Sequence, residues 1–116
     1  MSPRRAAQDW VPERGDVIGI DHNSFAVLST ASFHATVGLV VGCAMTSAPY
    51  NRGSTLAVDL GPIPDRPEAH SYVLCQQLKS FDWRARGARP HPIGRLNDSQ
   101  LEEVMAIVGQ ILGLVV

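Results

Sequence analysis

Between Lys79 and Arg95 the chain gathers five cationic residues, Lys79, Arg84, Arg86, Arg89 and Arg95, against a single acid, Asp82. Phe81 and Trp83 are interleaved with them. Guanidinium groups fork onto phosphate oxygens and aromatic faces stack on bases, so this mixture suits a single-stranded nucleic acid or another anionic partner. A basic run is also what a solvated loop can look like, and Trp83 is equally suited to a core position. The other reactive side chains are scattered. His22, His34, His70 and His91 show no HxH or HExxH spacing, and neither Cys43 nor Cys75 has a second cysteine beside it. Each isolated histidine is expected at the surface or in a turn. No GxSxG and no glycine loop for phosphate is present, so any chemistry is expected to use neither metal nor cofactor.

The basic segment sits in a chain with ten Lys and Arg against eleven Asp and Glu, a formal charge of −1. A protein that holds polyanions by bulk charge is excluded, and a partner has to meet a local patch. At 116 residues, 45% hydrophobic and 18% charged, the sequence is sufficient for one globular core, expected to span 1–116 as a single domain. Both cysteines lie in apolar runs, VVGCAM and YVLCQQ, which reads as buried reduced thiols of a cytoplasmic protein. The opening MSPRRAAQDW is not followed by an apolar leader core, and no stretch reaches the roughly 18 apolar residues of a membrane span.

The elements that must position the basic segment are mostly strands. Apolar runs over Val17 to Ile20, Phe25 to Ser29 and Leu39 to Met45 are bounded by turn formers, and Thr55 to Leu60 alternates. Ser71 to Gln76 and Gln77 to Phe81 read as two more strands. Thr30 to Thr36 is small and polar and carries no element signal. GPIPDRPEAH, residues 61–70, holds three prolines and reads as an irregular connection, and the prolines of 82–95 argue against helix there. One helix is well signalled over 98–112: Asn97 and Gln100 have capping-box spacing, and Leu101, Val104, Met105, Val108, Ile111 and Leu112 fall on one face. Short strands followed by one packing helix give a mainly β (α+β) fold, a small barrel or sandwich with the helix across it.

Four segments, WVPERGDVIGID, VLS, CAMTSAPYN and QLKSFDWRARGA, together resemble the MazF/PemK toxins of type II toxin-antitoxin systems, with order and spacing agreeing from Trp10 to Gly113. The resemblance implies an SH3-like antiparallel barrel with a C-terminal helix, usually a homodimer. It implies an endoribonuclease that cuts single-stranded RNA at specific sequences without metal, leaving a 2′,3′-cyclic phosphate and a 5′-hydroxyl. It further implies a cognate antitoxin of MazE/PemI type whose acidic tail covers the RNA groove, with operator DNA bound only through that antitoxin. By the same resemblance Thr46 of CAMTS matches the family's strand-three catalytic Thr, while Gln77, Lys79, Arg84 and Arg86 position RNA. Ser47, Tyr50 and Asn51 beside Thr46 offer hydroxyl, stacking and amide groups for the substrate.

One departure is clear. Family members carry, between the first two strands, a longer loop with an Arg-Pro or His-Pro that supplies the second catalytic group. Here only His22, Asn23, Ser24, Phe25 and Ala26 separate Asp21 from Val27. A flexible loop missing from the sequence is the expected reason, since such loops are the mobile RNA-facing ones; a natural deletion and an engineered removal are the alternatives. If the chain is truly this short, His22 becomes the remaining base in that place. The fold also serves non-catalytic roles, binding antitoxin and DNA or poisoning gyrase, but the CAMTS and KSFDWRARGA pair marks the ribonuclease branch.

Overall fold

The computed structural model describes residues 10–114. The first nine residues, including those read for a leader, and the last two lie outside the described part. Six strands form one antiparallel sheet: β1 (Asp16–Ile20), β2 (Asn23–Val27), β3 (Leu39–Thr46), β4 (Ala57–Ile63), β5 (Arg66–Asp82) and β6 (Arg89–Arg95), in the order β4-β5-β3-β2-β1-β6. Helix α1 (Ala31–Val37) precedes β3, a 3-10 turn (Pro49–Asn51) follows it, and α2 (Asp98–Leu112) ends the fold. The sheet curls as a half-barrel with β4 and β6 as its two edges, so the sandwich alternative falls.

Both faces of the central strands are covered, which explains why VIGI and FAV are apolar throughout instead of alternating. Val17, Ala26, Cys43, Val73 and Cys75 face α2, whose Val104 and Val108 are buried against them. Ile18, Ile20, Phe25, Val27 and Val40 face the other way and pack on Trp83, with Trp10 and Val11 beside it. Both cysteines are free and buried, and burial pushes their thiols up, Cys43 to about 12 and Cys75 to about 11. Among the described residues no helix is long and apolar enough to cross a membrane.

Several local expectations are corrected. Thr30 to Thr36 holds a helix: the Thr30 side chain accepts from the Phe33 amide at 3.3 Å, and Gly38 closes the other end at φ 84°. His34, expected at the surface, is fully buried in that helix, with Nδ1 2.6 Å from the Pro12 carbonyl and Nε2 2.5 Å from the Ser29 hydroxyl. The region 61–70 is a hairpin, not an irregular connection. Its prolines are accommodated because Pro62 lies on edge strand β4, and the pairing of β5 with β3 does not extend below Tyr72, short of Pro67. Residues 71–81, read as two strands, belong to the single strand β5, and 89–95 form β6 at the other edge, where Pro90 and Pro92 are likewise tolerated. In α2 the capping box forms as expected, but burial stops at Gly109, leaving Ile111 and Leu112 exposed.

The backbone between β1 and β2 is continuous. Ile20 pairs with Asn23, so Asp21 and His22 alone make the turn, with Asp21 left-handed at φ 56°. In the 116-residue sequence the β1-β2 connection is thus a two-residue turn, with no counterpart to the longer family loop between Ile20 and Asn23.

Candidate functional site

Strand β5 bends where its register against β3 shifts. Between Cys43, opposite Leu78, and Met45, opposite Val73, two steps of β3 match five steps of β5. An irregularity of this kind turns the strand and re-aims side chains. Here it brings Gln77 over the end of β3, where Thr46 closes the strand opposite Tyr72. A groove of about 760 Å³ results, and Thr46, Tyr50, Gln77, Lys79, Phe81 and Arg86 all line it. A second groove of about 730 Å³ adjoins it, sharing Asn23, Ser24, Met45 and Thr46, and His22, Ser47, Arg66 and His91 line that one. Its two walls come from the β4-β5 turn and from β6, so it runs along the open seam between the sheet's two edges.

Most sequence-derived candidates thus fall on one continuous surface. Thr46 stands at the junction of the two grooves. Its Oγ1 accepts from the Ala48 amide at 3.2 Å, which starts the turn carrying Ser47 and Tyr50 and leaves the hydroxyl proton free to donate. Tyr50 is 85% exposed, an open aromatic face. Asn51 instead turns inward and donates from Nδ2 to the Ala48 carbonyl at 3.0 Å, lying in neither groove.

The basic segment is partly committed to the fold itself. Trp83 is 3% exposed, meets Trp10 edge-on at 5.8 Å and donates from Nε1 to the His34 carbonyl at 3.3 Å, so it is core and not an open platform. The Arg84 guanidinium covers its ring at 4.4 Å, outside both grooves. Asp82 caps the following turn by accepting from the Ala85 amide, and Gly87 takes φ 68° within it. Arg95 binds Asp16 and donates to the Arg14 carbonyl, and Arg89 donates to the Asp21 carbonyl at 2.8 Å, tying β6 to β1. Arg86 is the arginine of this segment that lines the first groove, with the Asp21 carboxylate 3.6 Å away and both side chains exposed. Of the five cations, Lys79 and Arg86 therefore face that groove.

Sequence reasoning missed His91, whose position depends on β6 being a strand at all, and Arg66, which reaches the second groove by way of the β4-β5 hairpin. Among the described residues no cluster of three His, Cys, Asp or Glu could hold a metal ion.

Comparison with known proteins agrees with this architecture. The chain is similar over 90–91% of its length to two structures from Deinococcus radiodurans: a chain of a MazE-MazF complex (28% identity, all of that chain, TM-score 0.76) and MazF alone (27%, 99% of that chain, TM-score 0.75). It shares its fold with an endoribonuclease from a mycobacterial species in complex with its cognate antitoxin, at 17% identity over 90% of this chain and 98% of that one, TM-score 0.71. A search of curated protein sequences found no match. The family model of the PemK-like, MazF-like toxins matches residues 10–112, and the chain accordingly belongs to this toxin family of type II toxin-antitoxin systems.

Proposed function

We propose that this chain is a metal-independent endoribonuclease that cuts single-stranded RNA at specific sequences. The observation that carries the reading is the convergence of Thr46, Tyr50, Gln77, Lys79 and Arg86 on one groove of a chain with this family membership. Lys79 and Arg86 attract phosphates, Gln77 and Ser47 read polar edges, and Tyr50 offers a stacking face. Cleavage joins the ribose 2′ oxygen to phosphorus and breaks the bond to the 5′ oxygen, which leaves with its electron pair and takes a proton from water. Thr46 donates its hydroxyl hydrogen to a phosphate oxygen. His22, on the two-residue turn at the rim of the adjoining groove, takes the 2′ proton.

Purified protein incubated with a varied set of single-stranded RNAs in EDTA is expected to yield fragments with 5′-hydroxyl and cyclic phosphate ends. Mapping those ends gives the recognised sequence. Failure to cut any of them would leave the non-catalytic roles of this fold, antitoxin or gyrase binding, in its place. A cognate antitoxin with an acidic segment, lying over Lys79 and Arg86, should suppress cutting, and added salt should relieve that suppression.

We further propose a homodimer. Ile111, Leu112 and Leu114, at the end of α2, are 45%, 54% and 74% exposed, an apolar tip suited to a second copy. Light scattering is expected to give twice the 12.5 kDa chain mass, and a species at the single-chain mass refutes the dimer.

A further inference from the structure

The two-residue turn, Asp21 and His22, adds no arginine or lysine to the groove. A phosphate that gains a fifth oxygen needs more than one donor, and Thr46 supplies one. The seam groove holds a second, on the edge strand opposite. We infer that His91 is a catalytic residue whose Nε2-H donates to a non-bridging oxygen of the scissile phosphate in that groove, an inference that rests on the ribonuclease reading.

Three observations fix this ring as a donor. His91 lines the same groove as Thr46 and His22, half-buried between Pro90 and Pro92 on β6. The Ile93 amide donates to its Nδ1 at 3.1 Å, so the single proton of the neutral ring is on Nε2. Burial, then the charge of Arg89, holds its pKa below the ordinary histidine value, so the ring is neutral at neutral pH. A neutral Nε2-H keeps its proton through the reaction. The proton from the 2′-hydroxyl still goes to His22, and His91 contributes a hydrogen bond to the charged phosphate and nothing covalent. Arg66 on the opposite wall adds positive charge, while Asp65 is the acid lining the groove. Ser71 also lines the groove, but among the described residues no amide fixes its hydroxyl as the Ile93 amide fixes the His91 ring.

His91→Leu removes the donor and retains an apolar side chain of similar bulk, whereas His91→Gln places an amide N-H near the Nε2 position. On an RNA that the wild type cuts, His91→Leu is expected to lower kcat about 10- to 100-fold, the worth of one hydrogen bond to a charged group, with KM little changed. His91→Gln should recover most of the rate, and because both variants lose the acceptor for the Ile93 amide, both should lower the thermal midpoint by a similar small amount, so that only the rate separates them. If the wild type cuts and His91→Leu keeps the wild-type kcat, or His91→Gln is as slow as His91→Leu, the donor role is wrong while the ribonuclease reading stands. If the wild type cuts nothing, that reading fails and the inference with it.

Discussion

Trp83→Ala is expected to destabilise the fold by about 3–5 kcal/mol, the range for removing a large buried aromatic. The indole is one of the buried residues that fill the second core face against Ile18, Ile20, Val27 and Val40. Truncation also takes away the indole N-H, one of two donors to the His34 carbonyl beside the Gly38 amide, and removes the surface on which Arg84 lies. Trp83→Phe keeps most of the packing and should cost less than half as much. Urea unfolding of the three proteins measures both. The result separates two roles that the residue type alone leaves equal. A stacking platform for bases would give Trp83→Ala near-native stability and weakened RNA binding, and a cost within about 0.5 kcal/mol of zero, the range of ordinary surface substitutions, would favour that role.

The same residue shows what was legible in the chain and what was not. The run KSFDWRARGA contributes to the candidate site, because its lysine and its second arginine line the groove, but the run also builds the scaffold: Trp83 in the core, Asp82 capping the next turn, Gly87 in the left-handed conformation. Charge counting along a sequence cannot separate cations that face solvent from those tied to a neighbouring strand. Arg89 and Arg95 are spent on β1, through partners some 70 to 80 residues away in sequence, Asp21 and Asp16. Thr46 was legible through the family resemblance of CAMTS, and Tyr50 as a neighbour in the turn that follows it; both line the first groove because strand end and turn are local. His91 was not, since proline in a strand is tolerated only at an edge, and which strand forms an edge is decided by the pairing order of the whole sheet. Helix α2 was legible down to its capping box because caps and periodicity are short-range. Helix α1 was not. Its seven residues are too few for a period to show, and what holds it is the tertiary anchoring of His34 to Pro12 and Ser29.

Thr46→Val is expected to lower kcat about 100- to 1000-fold on any RNA that the wild type cuts, the usual effect of deleting one donor to developing negative charge in a catalytic site. The substitution is nearly isosteric. It leaves the pairing with Tyr72 in β5 to the backbone, so the strand end keeps its shape and any rise in KM, from the Ala48 turn alone, should be small beside the fall in kcat. What disappears is the hydroxyl, and with it the acceptor for the Ala48 amide as well as the donor to phosphate. Thr46→Ser restores both functions and should return most of the rate. That pair of variants distinguishes chemistry from scaffolding, because a purely structural Thr46, whose only task is to hold the Ala48 amide, would show its loss as a loosened Tyr50 turn and a raised KM with kcat preserved. Wild-type kcat in Thr46→Val would remove Thr46 from the catalytic step and leave His22 and His91 as the groups of the seam groove to be tested for it.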